Sequence, residues 1–194
     1  MVTPSRYDDE LWELVPEDRG PPREHLKRFV QGLGKAGRAL DLGCGDGRLS
    51  SALRADALTL ADVSPVALSR AHARLPEARV VDLTPDEPLP LGDGEFELVL
   101  CAETIEHVRD VQLLFSEIRR VLVPGGRLAI TTPAHGRVTG LRILMRGFER
   151  EFDPLSPHLR FFTERSLTEL LDELGFGVES LRPESGTLLV VAVR

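Results

Sequence analysis

One short stretch, residues 39–49, constrains the fold more than any other part of the chain: Ala-Leu-Asp-Leu-Gly-Cys-Gly-Asp-Gly-Arg-Leu. The apolar run at its start predicts a buried strand, and the apolar spacing after it predicts a helix over 48–55. Glycine tolerates positive φ and lets a ligand approach the backbone closely. A helix start also presents free N–H groups. A strand, a glycine turn and a helix in this order predict a ligand-binding crevice at the carboxyl end of the first strand.

The spacing of the glycines indicates which ligand to expect. Dinucleotide-binding turns carry G-x-G-x-x-G, with the pyrophosphate on the helix start. Here the spacing is G-x-G-x-G, and Asp41 precedes the first glycine by two residues. A carboxylate at that point is poorly placed for a phosphate and well placed for an ammonium group. A tight strand–helix turn without any ligand is the structural alternative.

With Asp41 included, the stretch reads D-x-G-x-G-x-G, which resembles motif I of the class I S-adenosylmethionine-dependent methyltransferases. Residues 91–97, Leu-Gly-Asp-Gly-Glu-Phe-Glu, resemble the connector before the fourth strand of that family. Residues 102–110, Ala-Glu-Thr-Ile-Glu-His-Val-Arg-Asp, resemble its motif after the fourth strand. Residues 122–128, Leu-Val-Pro-Gly-Gly-Arg-Leu, resemble its proline–glycine turn before the fifth strand. The stretch from His158 to Phe176 is similar to the C-terminal part of the ubiquinone-biosynthesis O-methyltransferases and their small relatives.

The predicted elements and this resemblance lead to one fold class. We expect an α/β, doubly wound, mostly parallel seven-stranded sheet with the last strand antiparallel, the Rossmann-like methyltransferase fold. We expect residues 1–194 to form a single domain, with the resemblance covering about residues 36–194. Residues 1–36 are interpreted as an N-terminal cap segment, for which a loose tail pinned by Trp12 is the alternative. Residues 133–162 are interpreted as a substrate lid.

The interpretation of residues 133–162 as a lid depends on two faces of a helix predicted within this segment. The apolar face is predicted to pack on the domain, and the basic face would contact an anionic group of the substrate. The alternative is an amphipathic cover helix whose arginines are solvated. The apolar residues are Leu141, Met145, Phe148 and Phe152, and the basic ones are Arg142, Arg146 and Arg150.

The cofactor-binding residues follow mainly from the resemblance. It implies that Asp41 and the three glycines hold the methionine moiety of S-adenosyl-L-methionine, and that Asp82 and Leu83 hold adenine. Asp62 ends the second predicted strand, where an acidic residue hydrogen-bonds a ribose diol in nucleoside-binding α/β folds. The two cysteines fit neither a disulfide framework nor a zinc spacing, and packing as small buried residues is their alternative role. The full predicted set is Asp41, Gly43, Cys44, Gly45, Gly47, Asp62, Val63, Asp82, Leu83 and Cys101.

The stretch after the fourth strand is predicted to carry the chemistry. Methyl transfer mainly needs proximity and alignment, and His107 is the predicted general base for an oxygen acceptor. If the stretch turns helically, Glu103, Glu106 and His107 share one face and could hold Mg²⁺. The pattern is similar to the metal-binding motif of ubiquinone-biosynthesis and small-RNA 2′-O-methyltransferases, with His135 or His158 closing the site. Glutamates that are merely solvated, and a histidine that merely packs, are the alternatives.

Composition narrows the acceptor and the compartment. The net charge of −7 over 194 residues disfavours nucleic acid and anionic membranes as partners. A small-molecule methyl acceptor is therefore expected, and the oligomeric state stays open. The absence of a signal-peptide pattern and of a spanning apolar run predicts a cytoplasmic protein. Three other functions stay open: a cofactor-binding protein without transferase activity, a small-RNA ribose 2′-O-methyltransferase, and a nicotinamide-dependent reductase.

Overall fold

A computed structural model describes residues 4–148, 152 and 156–194. Within these ranges the chain forms a sheet of seven strands flanked by helices. The strands are β1 (Lys35–Leu42), β2 (Arg54–Asp62), β3 (Arg79–Asp82), β4 (Phe96–Ala102), β5 (Leu122–Pro133), β6 (Gly177–Glu184) and β7 (Thr187–Val193). The helices are α1 (Pro4–Leu14), α2 (Glu24–Gly32), α3 (Pro65–Arg74), α4 (Val111–Val121), α5 (Arg137–Arg146) and α6 (Glu164–Glu173).

The strand order is β3-β2-β1-β4-β5-β7-β6. Pairing is parallel from β3 to β5, whereas β7 runs antiparallel to both β5 and β6. The predicted doubly wound sheet with an antiparallel last strand is therefore confirmed. The direction of winding changes between β1 and β4, and ligands of such sheets bind outside the carboxyl ends of the strands at this point.

The central strands are buried on both faces, as their continuous apolar runs predict. Side chains alternate between the faces with period two. Leu40 and Val99 belong to a core that also contains Phe115 of α4. Their neighbours Ala39 and Leu98 belong to a second core, on which Phe29 of α2 packs. This double burial fixes the register of β1 against β4, and with it the position of the residues that follow each strand.

The prediction of a helix over residues 48–55 is wrong. Only a 3₁₀ turn, Ser50–Ala52, lies there, and β2 begins at Arg54. The reason is strand length: β1 already starts at Lys35, and Lys35 pairs with Arg54. The chain must therefore be extended again by Arg54, which leaves too few residues for an α-helix after the glycine turn.

The position of the proline–glycine turn also differs from the prediction, which placed the turn before a fifth strand that starts at Leu128. In the structure β5 begins at Leu122 and contains the turn as a bulge, because pairing with β4 shifts between Phe96 and Leu98. Gly126 is required there, since a Cβ at this position would lie 2.9 Å from the carbonyl oxygen of Val123. The bulge lets β5 continue in register to the site.

Two helix starts have the caps that the sequence predicts. The side chain of Ser64 accepts from the N–H of Ala67, with Pro65 in the first turn. Thr163 and Ser166 form a reciprocal capping box at α6. Among the helices of the described ranges, none is long and apolar enough to cross a membrane.

Candidate cofactor and acceptor site

The glycine turn after β1 can be built only from glycine at its three key positions. Gly43, Gly45 and Gly47 have φ of 76°, 54° and 73°, a region that other residues rarely adopt. Space is also short, because a Cβ on Gly43 would lie 2.4 Å from Oγ1 of Thr104. The turn therefore packs directly against the segment that follows β4, and the N–H groups of Gly43, Gly45 and Gly47 donate to Ala61, Asp62 and Cys44, respectively.

Asp62 is a structural part of this turn. Its Oδ2 accepts from the N–H of Gly45 at 2.8 Å, and its Oδ1 accepts from the N–H of Ser64 at 3.0 Å. The side chain is buried at the carboxyl end of β2. A carboxylate held by two backbone donors ties the glycine turn to the start of α3. Asp62 thus lies where the sequence predicted a ribose-binding residue, and its carboxylate also shapes the turn.

Asp41 lies beneath the turn and is only 2% exposed. Its Oδ2 accepts from the hydroxyl of Ser50 at 2.5 Å. Burial raises the pKa of this carboxyl to about 7, a change that the Ser50 hydrogen bond opposes and the nearby charge of Asp62 reinforces. Asp41 has a hydroxyl partner and forms no salt bridge with any residue that the structure describes, so its buried carboxyl favours a positively charged ligand group.

The other predicted cofactor residues lie around the same edge. Asp82 pairs with Asp62 across β2 and β3, and the N–H of Leu83 donates to the carbonyl of Asp62 at 2.9 Å. Val63 is half-buried between Asp62 and the start of α3. Both cysteines are free and buried. Burial raises the pKa of the Cys44 and Cys101 thiols, which keeps both thiols protonated.

The stretch after β4 is a turn and not the helix that the metal prediction assumed. Glu103 adopts φ of 52°, which is not a helical conformation. Its Oε1 accepts from Oγ1 of Thr131 at 3.0 Å, and its Oε2 lies 3.8 Å from Arg23. The predicted triad of Glu103, Glu106 and His107 on one face is therefore not what the structure brings together.

A different triad forms instead: Glu106, His107 and His158. One ligand atom from each lies within 4.8 Å of the others. Oε1 of Glu106 is 3.9 Å from Nε2 of His107, and the two imidazole rings are 4.9 Å apart. Nδ1 of His107 lies 3.1 Å from the carbonyl of Pro157. Because a carbonyl can only accept, this contact places the proton on Nδ1 and leaves the Nε2 lone pair free.

Glu106 is the most constrained member of the triad. It is 1% exposed, and its Oε2 accepts from Oγ1 of Thr132 at 3.1 Å. Its Oε1 has no hydrogen-bond partner among the described residues. Burial raises the pKa of this carboxyl to about 7, and the charge of Glu103 adds to the effect. A buried carboxylate oxygen without a donor is expensive unless a ligand or cation satisfies it.

The backbone of Glu106 also assembles the triad. Its carbonyl accepts from the N–H groups of Leu159 and Arg160 at 2.8 and 3.1 Å, which carries His158 to the turn after β4. Burial and the neighbouring His107 lower the pKa of His158. His158 is therefore neutral at pH 7, and a neutral imidazole is the form that binds metal ions.

A protein-family model described as a methyltransferase domain matches residues 15–181. The chain belongs to the methyltransferase domain family. The predicted resemblance to S-adenosylmethionine-dependent methyltransferases is confirmed by this match and by the relatives' names.

Two curated relatives show how this methyltransferase domain compares in length. A probable S-adenosylmethionine-dependent methyltransferase of Mycolicibacterium smegmatis is 35% identical over 150 residues, covering 74% of this chain and 54% of the relative. The ubiquinone biosynthesis O-methyltransferase of Pseudomonas aeruginosa is 35% identical over 107 residues, covering 51% and 46%. The chain thus spans about half the length of the curated relatives it matches.

Solved structures support the fold. A putative methyltransferase of Bacillus halodurans superposes with a TM-score of 0.73 at 18% identity, covering 88% of this chain and 99% of that one. At this identity the likeness concerns the architecture of the methyltransferase domain alone.

Two histidines of this methyltransferase domain, His135 and His158, are predicted from the sequence as alternatives for closing the metal site. The structure brings His158 to Glu106 and His107. His135 instead packs edge-on to Phe161, with ring centroids 5.0 Å apart. His158 is brought to the triad by the hydrogen bonds from Leu159 and Arg160 to the carbonyl of Glu106, a contact that no local sequence pattern indicates. Arg150, predicted on the basic face of the lid, lies outside the described residues.

Proposed function

We propose that this methyltransferase domain is an S-adenosylmethionine-dependent enzyme that methylates an oxygen of a small-molecule acceptor. The observation that carries the proposal is the buried Oε1 of Glu106, without a hydrogen-bond donor among the described residues, beside the imidazoles of His107 and His158. This group lies in or beside the turn that follows β4, and Thr104 of the same turn packs against Gly43 of the glycine turn.

The cofactor half of the proposal assigns one chemical role to each buried carboxylate. Asp41, with its pKa raised by burial, would accept the ammonium group of the methionine moiety, whose positive charge favours the ionised form. Asp62 would accept from the ribose hydroxyls while keeping its bonds to the turn. Leu83 and Val63 offer apolar contact beside them, and Asp82 is near enough in register to meet the adenine edge.

In the acceptor half, His107 would take the acceptor proton. Its free Nε2 lone pair faces the crevice side of Glu106, so a hydroxyl placed there can lose its proton as the oxygen bonds to the methyl carbon. S-adenosylmethionine supplies an electrophilic methyl group, whose bonding pair leaves with the sulfur. A positioned base of this kind contributes about 10²–10⁴-fold.

The residues of the triad also fit a divalent cation, and Mg²⁺ is the ion predicted from the sequence. Glu106 offers a carboxylate oxygen without a hydrogen-bond donor among the described residues, and His107 and His158 each offer a ring nitrogen. Cation binding and the base role of His107 are alternatives, since both would use the Nε2 lone pair of His107. A cation held there would lower the pKa of an acceptor hydroxyl and orient it, which would suit a catechol. Two nitrogens and one oxygen are also a donor set that Mn²⁺ or Zn²⁺ would accept.

We also assign residues 133–162 as the lid over the acceptor. Support comes from His158, which this segment contributes to the triad, and from the aromatic contact between His135 and Phe161 within the segment. On α5, Leu141 and Met145 are exposed, so these side chains are available to contact an acceptor or to repack around it.

Methyl transfer to a catechol tests the proposal. With S-adenosylmethionine labelled in the methyl group, we expect label in the catechol, loss of that activity in EDTA, and recovery on adding Mg²⁺ or Mn²⁺. Full activity in EDTA would remove the cation and leave His107 as the base. Absence of transfer to the catechol from a protein that binds the cofactor would reject a catechol as the acceptor, and absence of transfer to any oxygen acceptor would leave a cofactor-binding protein.

A small RNA with a terminal ribose diol is the control acceptor, since the same triad could serve that chemistry. The net charge of −7 disfavours a polyanionic partner, so we expect no label in the RNA. Efficient transfer to RNA in place of the catechol would reverse the choice of acceptor.

A further inference from the structure

The helix α1 lies directly over the glycine turn. A Cβ built on Gly45 would be 2.8 Å from Cζ2 of Trp12, so the indole ring covers the middle glycine of the turn. This is the surface that the proposed function assigns to the cofactor, and the inference below rests on that assignment. An indole and a cofactor cannot occupy the same surface of Gly45 together.

Polar contacts hold α1 in this position. Asp9 accepts from the hydroxyl of Ser64 at 2.5 Å, and Arg70 donates to the carbonyl of Val15 at 2.9 Å. Both partners belong to α3 or its cap. Arg19 lies 5.1 Å from the centre of the Trp12 ring and 3.3 Å from Asp46 in the glycine turn. The helix is therefore fastened to α3 and to the glycine turn by Asp9 near its middle, by Val15 just after its end and by the indole of Trp12.

The apolar packing of α1 is thin. Trp12 is half-buried, Leu14 is 81% exposed and Leu11 is 36% exposed. From Asp9 to Leu14, where the structure describes the side chains, Trp12 is the one large side chain that packs on the domain. A segment held in this way, with otherwise partly exposed polar contacts, separates from a domain at modest free-energy cost. The glycine turn beneath it keeps its shape without α1, because its hydrogen bonds go to Ala61 and Asp62.

We infer that α1 is a self-occluding strap: Trp12 occupies the cofactor surface of the glycine turn, and cofactor binding displaces it. The domain then exists in a strapped form and an open form, and only the open form binds the cofactor. The apparent affinity is lowered by the fraction of molecules that are open.

Trp12 is the only tryptophan of the chain, so its fluorescence reports on the strap directly. Titrating the full-length protein with S-adenosylhomocysteine should shift the emission to the red, as the indole leaves the turn for water. In a parallel calorimetric titration, Trp12→Ala should bind about threefold more tightly or better, which corresponds to an open fraction of about one third or less in the wild type.

Two further variants distinguish occlusion of the cofactor surface by Trp12 from a general effect of changing α1. Leu14→Ala changes an exposed residue of the same helix and should leave the affinity unchanged. Asp9→Asn weakens the Ser64 contact while keeping the indole, so it should tighten binding and show red-shifted emission before any ligand is added. Thermal unfolding of each variant checks that the domain remains folded.

The outcomes distinguish the strap from the site beneath it. Weaker binding by Trp12→Ala would mean that the indole stacks on the bound ligand, and it would overturn the inference. Unchanged affinity and unchanged emission would overturn it as well. If neither the wild type nor Trp12→Ala binds S-adenosylhomocysteine, the cofactor assignment fails first, and the strap fails with it.

Discussion

The two halves of the crevice each contain a buried carboxyl whose pKa burial raises to about 7, but they are built differently. Around Asp41 the partners are local: Ser50 satisfies it, and Asp62 ties the turn together within a short stretch of chain. Around Glu106 the partners come from β5 and from the segment that carries His158. One oxygen of Glu106 is left without a donor among the described residues. The carboxyls of the first half have partners close in the sequence. In the second half, the partners of Glu106 come from distant segments, and one carboxyl oxygen remains available to a ligand.

The largest effect should come from breaking the local half. Gly45→Val would force a branched side chain into φ of 54° and into the surface that we assign to the cofactor. We expect cofactor binding to weaken beyond about 100-fold, because both backbone and ligand space are lost.

Gly94→Val is the matched control for this change. Gly94 has a similar φ of 57°, with nothing within 4 Å of its added Cβ, so it should show a comparable backbone strain without loss of binding. Equal binding by the two variants in calorimetry would contradict the role of the turn.

Glu106→Gln tests the assembled half. Replacing the charged oxygen by an amide removes one ligand, and even outer partners of a metal site are worth 10–100-fold, so we expect Mn²⁺ binding to fall by about tenfold or more. In the wild type the carboxyl has a pKa near 7, and cation binding needs the ionised form. Binding should therefore strengthen as the pH rises from 6 to 8, and this slope should become shallower in the variant, in which residue 106 no longer titrates. Titrations with Mn²⁺, monitored by water proton relaxation at several pH values, give both the Mn²⁺ affinity and its dependence on pH.

Asp41→Asn should have opposite effects on binding and on stability. Losing the charged acceptor should weaken cofactor binding by about 10- to 100-fold, the equivalent of about 1.5–3 kcal/mol. The folded pKa of Asp41 is raised above its unfolded value. Its contribution to stability is thus present below pH 4 and is lost as the pH rises to 7. An asparagine at this position cannot ionise, so the Asp41→Asn variant does not lose stability in this way as the pH rises. At pH 8 it should therefore be more stable than the wild type by about 1–3 kcal/mol.

Chemical unfolding at pH 4 and pH 8 measures the difference. A variant that loses the same stability at both values would show that Asp41 is ionised and satisfied in the free protein.

The smallest effect is expected at Glu103. Its side chain is engaged by Thr131 and lies near Arg23, outside the triad. Glu103→Gln keeps the acceptor for Thr131, so Mn²⁺ affinity should change by less than about threefold, a difference under about 0.7 kcal/mol. A loss as large as that of Glu106→Gln would restore Glu103 as a ligand.

The same contrast explains how much could be predicted from the sequence. The glycine turn, Asp41 and Asp62 were predictable because their partners lie close in the chain and the strand–turn pattern is local. The triad was only half predictable: Glu106 and His107 are adjacent, but His158 reaches them through backbone bonds to a segment about fifty residues away. The shared helical face assumed for Glu103 is not formed, because the stretch after β4 is a turn with a positive φ at Glu103. The position of Trp12 could not be predicted either, since one indole in a polar segment does not indicate which surface it covers.

The central claim is that the crevice between β1 and β4 binds S-adenosylmethionine through Asp41, Asp62 and the glycine turn. The most direct test is a pair of calorimetric titrations of the unmodified protein, one with S-adenosylmethionine and one with NAD⁺. We expect one molecule of S-adenosylmethionine to bind per chain and NAD⁺ to give no heat of binding. Binding of NAD⁺ in place of S-adenosylmethionine, or binding of neither, would contradict the claim.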